Sequence, residues 1–104
     1  MQARLRDLSV SGAGMLIPPK DNQPVYMVPN TRLRVQLKYA DIDTVFEARV
    51  QHVWPTPDHS LRVGVQFKKL EDDLDGRHIL SRLTTLAGEL RRAEIRRLRM
   101  GISG

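Results

Sequence analysis

The hydrophobic residues of this 104-residue chain repeat with two different periods, and the change between them falls near Leu70. Before that point they alternate with polar residues, as Leu33, Val35 and Leu37 do between charged or amide side chains. A period of two is typical of a strand with one buried face. Beyond it, apolar residues recur three and four positions apart, which is the spacing of one helix face: Ile79, Leu83, Leu86, Leu90 and Ala93. The sequence therefore predicts strands followed by a helix.

The strand pattern favours a closed sheet. Five strands are predicted, over residues 2–9, 13–17, 31–39, 45–54 and 61–67. Short consecutive strands indicate a small antiparallel β-barrel, because closing a sheet removes its unpaired edges. One long C-terminal α-helix is predicted over residues 71–100, with acidic residues at its start and arginines at its end that complement the helix dipole. We expect a mainly β fold in a single domain of residues 1–104, with the barrel over residues 1–70 and the helix after it.

Composition narrows the class of protein. The chain has no cysteine, which excludes a disulfide framework and a thiolate metal site and suits a cytoplasmic location. No apolar run approaches the roughly 20 residues of a membrane span, and no basic-then-apolar signal sequence opens the chain. With 17 Lys and Arg against 12 Asp and Glu, the net charge is +5. A basic balance suits an anionic partner, such as a nucleotide, a nucleic acid, an acidic protein surface or a lipid headgroup.

The sequence gives little support for catalysis. Nucleophilic catalysis needs a Ser, Thr or Cys beside an oriented base, and His52, His59 and His78 lie in three different settings. Their spacing offers no metal site, and the acidic run after Leu70 caps a helix better than it matches a calcium loop. Walker and dinucleotide-fingerprint motifs are absent from the sequence. We therefore expect no enzyme, no cofactor and no metal.

The most informative segment lies at the end of the first predicted strand. There Asp7, Ser9 and Gly12 form the pattern D-x-S-x-x-G. Period two places Asp7 and Ser9 on one side, and a carboxylate can accept two hydrogen bonds from an amino-imino edge such as that of guanine. Arg4 and Arg6 would then meet phosphates. The alternative is an Asx or Ser turn that joins two strands, with Asp7 capping its own backbone.

The segment D-L-S-V-S-G-A-G-M at residues 7–15 resembles the D-x-S-x-x-G box of the PilZ domain family, bacterial receptors for cyclic di-GMP. V-Q-H-V-W at residues 50–54 and V-G-V-Q-F at residues 63–67 are similar to later strands of that family. The resemblance implies a split β-barrel that binds cyclic di-GMP at the barrel mouth, with Asp7 and Ser9 reading guanine and Gly12 shaping the turn.

One feature of that family is missing from the expected place. Its other half-site is an R-x-x-x-R pair before the box, and six residues precede Asp7 here. The chain is then either a fragment of a longer receptor or a variant without half of the usual site. The sequence contains one R-x-x-x-R, Arg92 to Arg96, whose spacing puts both guanidiniums on one helix face. One hypothesis makes this pair a substitute phosphate clamp; the other makes it a solvated basic helix end.

Three functions are compatible with these observations. The first is a non-enzymatic PilZ-type signalling module that binds cyclic di-GMP and passes the signal to a protein effector in motility or exopolysaccharide control. The second is a PilZ-like adaptor or oligomerisation domain that binds no nucleotide. Its homo-oligomer would form through the C-terminal helix, where Ile95, Leu98 and Ile102 extend beyond the barrel. The third is a basic β-barrel that binds nucleic acid through Arg32, Arg34 and Lys38, although few aromatic side chains are available for base stacking.

Overall fold

The structure, a computed structural model, describes residues 2–23, 25–39, 42–68, 74–90 and 98–103. Its elements in chain order are β1 (Gln2–Leu8), β2 (Gly12–Ile17), β3 (Arg32–Tyr39), β4 (Ile42–Pro55), β5 (Leu61–Phe67), α1 (Leu74–Glu89) and β6 (Arg99–Ser103). All five predicted strands are present. The mainly β class is confirmed.

The six strands form a closed antiparallel barrel in the order β1-β2-β5-β4-β3-β6. The last strand closes it, because β6 pairs with β1 on one side and with β3 on the other. Without β6, both of those strands would present unpaired backbone groups. The predicted barrel is therefore confirmed, but its wall includes a strand that lies after the helix.

The alternating apolar residues fill the interior. Leu33, Val35 and Leu37 of β3 are all buried, and the aromatic pair Phe46 and Phe67 packs edge to face with ring centroids 4.2 Å apart. Helix α1 adds two fully buried leucines to this core, Leu83 and Leu86, while Ile79 and Leu90 are partly buried against it. The predicted helix stripe thus covers the barrel core.

The prediction of a helix over residues 71–100 was wrong in its extent. The helix ends at Glu89, and Arg99 to Ser103 is the strand β6. Residues 71–73 and 91–97, including Arg92 and Arg96, lie outside the described residues. Leu98 and Ile102, which the oligomer hypothesis placed on an outer helix face, are buried in the barrel core. The reason is that this five-residue segment pairs with the open edges of two strands. The spacing of apolar residues along the chain carries no information about those distant edges.

Candidate functional site

A β-bulge at Arg6 decides where Asp7 points. Ala3 and Leu5 face the core, so strict alternation would bury Asp7 as the next residue on that face. The register between β1 and β2 shifts between Leu5 and Asp7, and Arg6 is the extra residue. Both Arg6 and Asp7 are consequently exposed, and Leu8 turns back toward the core. Re-aiming one side chain is a common consequence of a bulge.

The Asp7 carboxylate is held over a glycine on the neighbouring strand. Asp7 lies directly opposite Gly14, whose backbone N–H donates a 3.1 Å hydrogen bond to Asp7 Oδ1. A Cβ atom at position 14 would lie 2.6 Å from Asp7 Oδ2, well inside contact distance. Only a residue without a side chain allows the carboxylate to occupy this place. The alternative interpretation was an Asx or Ser turn with Asp7 capping its own backbone. Asp7 does not form such a cap, but the Ser turn is present, because Ser9 makes the hydrogen bonds of the turn.

The serine and glycine of the motif build the turn between β1 and β2. Ser9 Oγ accepts hydrogen bonds from the backbone N–H groups of Gly12 (3.2 Å) and Ser11 (3.3 Å), and the Ser9 N–H donates to the Gly12 carbonyl at 2.9 Å. Gly12 has an ordinary negative φ, so conformational freedom is not what requires glycine there. A Cβ at Gly12 would lie 2.2 Å from the Val65 carbonyl oxygen, so close strand approach requires it.

A row of four residues crosses the outer face of the barrel from Asp7. Gly14 pairs with Gly64 of β5, and Gly64 pairs with His52 of β4. The His52 ring leans over Gly64, with Cδ2 3.4 Å from the position of a glycine Cβ. Two adjacent glycines thus form a floor without side chains, with a carboxylate at one end and an imidazole at the other. Three interstrand steps of about 4.8 Å separate the two ends.

Aromatic and basic side chains border this floor. The rings of His52 and Trp54 are stacked, with centroids 5.4 Å apart and planes 9° apart, and Trp54 is 58% exposed. A second bulge, between Val50 and His52, brings His52 and Trp54 to the outer face. Arg62 lies opposite Trp54 on β5. Together these residues line an open cavity of about 530 Å³ that also includes Arg6 and Asp7.

The predicted site residues that the structure describes fall into two groups, and Arg92 and Arg96 lie outside the described residues. Asp7, Gly12 and Arg6 line the cavity. Arg4 is exposed on the outer face but pairs with Leu16 and Arg99 outside the cavity lining, and the Ser9 hydroxyl faces its own turn. The structure therefore brings together a carboxylate, one predicted arginine and the motif glycine.

The cavity residues that sequence reasoning missed include Gly14, His52, Trp54, Arg62 and Gly64. Each lies in or beside a segment that the family resemblance singled out, so a signal was present. Alternation could not show that Trp54 faces outward, because it places Trp54 on the inner face with Ala48 and Val50 until the bulge before His52 reverses the pattern. The pairing of Gly14 with Gly64 could not be predicted from the sequence, because it depends on the register between β2 and β5.

Other candidate chemistry finds no support in the described part of the chain. No group of three or more His, Asp or Glu side chains there is arranged to hold a metal ion. His59 lies in a turn with a positive φ of 66°, and His78 is exposed on α1. Within the same residues, no helix combines the length and apolar character needed to cross a lipid bilayer.

Comparison with known proteins identifies the family. The family model for the PilZ domain matches residues 1–86, which includes the motif, β1 to β5 and most of α1. The chain belongs to the PilZ domain family. PilZ domains are non-enzymatic binding modules, and the family comprises receptors for cyclic di-GMP that act on protein effectors. No curated protein and no solved structure matches the chain significantly.

Proposed function

We propose that this PilZ domain is a signalling module that binds cyclic di-GMP on its outer face, with Asp7 reading one guanine. The observation that carries the proposal is the outward, glycine-backed position of the Asp7 carboxylate beside an open cavity. Its Oδ2 has no hydrogen-bond partner among the described residues, and Oδ1 retains a free lone pair. Guanine presents two adjacent N–H donors, which two carboxylate oxygens can accept together.

The remaining cavity residues suit the other parts of a cyclic dinucleotide. The glycines Gly14 and Gly64 leave room for the Asp7 carboxylate and the His52 ring, between which a planar base can lie, and the exposed face of Trp54 offers a stacking surface. Arg6 and Arg62 can pair with phosphates as planar, permanently charged groups. We place both arginines, with Asp7 and Trp54, in the binding surface. The bound module would signal to a protein effector in the cytoplasm, in motility or exopolysaccharide control.

A second candidate function is favoured by one observation. The Ser9 hydroxyl makes its hydrogen bonds within the turn, so it is already engaged before any ligand arrives. The second candidate is therefore a PilZ adaptor that acts through protein contacts without nucleotide.

Nucleotide titration distinguishes the two candidates. Trp54 is the single tryptophan of the chain and lies in the cavity, so its fluorescence reports ligand there directly. We expect cyclic di-GMP to change the emission and to release or absorb heat in calorimetry. Cyclic di-AMP should do neither, because the adenine edge lacks the paired donors that Asp7 would accept.

Two aspartate variants complete the test. Asp7→Asn should weaken cyclic di-GMP binding tenfold or more, since one acceptor becomes a donor. Asp21→Asn is the matched control, because Asp21 is exposed in the loop after β2 and outside the cavity. Absence of any cyclic di-GMP signal in the unaltered chain would exclude the first candidate and favour the adaptor.

A further inference from the structure

A second concave surface lies on the outer face of the barrel, beside the nucleotide cavity but separate from it. It has a volume of about 750 Å³ and is lined by residues of β3, β4 and β5, with Ser103 of β6. The side chains of Gln51 and Gln66 form a 2.9 Å hydrogen bond at the boundary between the two cavities. We call this surface the basic groove and define it by its charged lining residues, Arg32, Arg34, Arg49, Lys68 and Glu47.

The charges of the basic groove do not balance. Arg32 and Arg49 lie directly opposite each other on β3 and β4, and both are exposed. Like charges in directly opposed positions destabilise a sheet. Glu47 forms an ion pair with Lys68 at 3.8 Å, and both side chains are largely exposed. Arg34 lies directly opposite Glu47, whereas Arg32 and Arg49 face each other, and within the described ranges none of these arginines comes within ion-pair distance of a carboxylate.

Adjacent guanidiniums without counter-ions are suited to carboxylates or phosphates. Each guanidinium can hold a carboxylate through two parallel hydrogen bonds, and two neighbouring ones can hold two acidic side chains in succession. The groove is also much larger than a single small anion. These features indicate an extended acidic ligand.

We propose that the basic groove binds an acidic segment of a protein partner. Its lining favours a peptide over a nucleic acid, because the Glu47–Lys68 ion pair interrupts the row of cations that a continuous phosphate backbone would follow. The groove also lacks a stacking surface among its lining residues. Phe67 is their single aromatic residue and is 6% exposed, so a nucleobase has no exposed ring to contact.

The test uses three fluorescent probes on the whole chain. The first is a peptide of five glutamates alternating with serines, the second replaces every glutamate with glutamine, and the third is an oligothymidylate with five phosphates. We expect anisotropy to rise for the acidic peptide only, and the binding to weaken as salt increases. Preferential binding of the oligothymidylate, or no binding of the acidic peptide, would overturn the proposal.

Charge-matched variants locate the binding. Arg32→Glu and Arg49→Glu should each lower the affinity for the acidic peptide about tenfold or more, since a charge-assisted contact is replaced by repulsion. Lys38→Glu makes the same charge change on the same strand, on an exposed residue outside the groove, and should have a small effect. Equal losses in all three variants would show general charge attraction and refute the groove.

The neutral variant Arg49→Gln controls for the possibility that the charge-reversal variant Arg49→Glu fails to fold. It should have the same circular dichroism spectrum as the parent and still bind the acidic peptide more weakly. Cyclic di-GMP binding, followed by Trp54 fluorescence, should be unchanged in Arg32→Glu, because Arg32 does not line the nucleotide cavity. The groove and the nucleotide site can therefore fail independently of each other.

Discussion

Replacing Gly14 with alanine tests the central feature of the proposed nucleotide site, the close contact between a carboxylate and a bare backbone. The new Cβ would lie 2.6 Å from Asp7 Oδ2, 3.0 Å from Cγ and 3.1 Å from Oδ1. To reach ordinary contact at 3.4 Å, the carboxylate must retreat by about 0.8 Å. A retreat of that size breaks the 3.1 Å hydrogen bond from the Gly14 N–H.

The effect on stability should be small because two contributions offset each other. Losing an exposed hydrogen bond costs about 1 kcal/mol. Replacing glycine with alanine in a strand stabilises the fold by roughly 0.5–1 kcal/mol, because alanine loses less conformational entropy on folding. The side chain of Asp7 is exposed and can swing away without disturbing the core. We expect a net change within about 1 kcal/mol, or a Tm shift of no more than roughly 8 °C.

The effect on binding should be large. A displaced carboxylate loses at least one charge-assisted hydrogen bond to guanine, worth about 1.5–3 kcal/mol, so the Kd for cyclic di-GMP should rise roughly tenfold to a hundredfold. Trp54 fluorescence measures the Kd, and urea denaturation followed by circular dichroism measures stability. The matched control is Gly88→Ala, because a Cβ at Gly88 in α1 meets nothing within 4 Å. It should leave binding unchanged and stabilise the helix by up to about 1 kcal/mol.

A double-mutant cycle isolates the cause. In the background of Asp7→Ala there is no carboxylate to displace, so Gly14→Ala should produce no further loss of binding. If Gly14→Ala binds cyclic di-GMP as the unaltered chain does, the held position of Asp7 is irrelevant to recognition. An equal loss in both backgrounds would mean that alanine blocks the floor directly, and the reasoning about the carboxylate would be refuted.

Three other substitutions test the fold. Gly12→Ala should destabilise the chain by roughly 1–3 kcal/mol in urea, because its Cβ would meet a backbone carbonyl at 2.2 Å on the facing strand and no flexible side chain can yield; a change near zero would contradict this. Leu83→Ala should cost about 2–5 kcal/mol if α1 completes the core, whereas a surface helix would lose much less. Hydrogen bonds from the Thr56 hydroxyl and then from the Ser60 N–H hold the pKa of Asp58 below its ordinary value. Asp58 therefore stabilises the fold above its unfolded-state pKa, so Asp58→Asn should be less stable than the parent at neutral pH, and the difference should shrink as pH falls below about 4. A difference in urea midpoint that is constant with pH would contradict it.

The strands were predictable because alternation alone sets which side chains face inward. Val35 and Leu37 share a face by position, and burial of that face follows without knowledge of the partner strand. The strand β6 was not predictable on the same basis. Leu98, just before β6, and Ile102 within it alternate with polar or small residues, but both also fit helical spacing with Ile95, so local pattern could not choose. The choice was made by the open edges of β1 and β3, which are distant in sequence.

The candidate site was predictable in its motif and not in its assembly. Asp7 lies near the end of β1 and Gly12 begins β2, so both belong to one short segment that local reasoning could identify. The orientation of Asp7 depends on one bulge residue, Arg6. Strict alternation has no bulge and would therefore predict the opposite orientation for Asp7. The contribution of His52 depends on a second bulge and on pairing between strands separated by other elements. Such contacts follow from register, which a single sequence does not encode locally.

The location of the site follows from how the barrel is filled. Its interior is occupied by side chains such as Met15, Ile17 and Leu37, each at most 1% exposed, so a ligand as large as a dinucleotide must bind outside. On an outer face every second residue carries a side chain outward, which would hold a planar base away from the backbone. Pairing Gly14 with Gly64 leaves that space to the Asp7 carboxylate and the His52 ring, the groups that would contact a base. Because both glycines point away from the core, substitutions there can change recognition while the barrel remains folded. The same separation explains why the turn glycine, Gly12, belongs to the fold although it lines the cavity: its missing side chain faces the neighbouring strand backbone instead of the ligand.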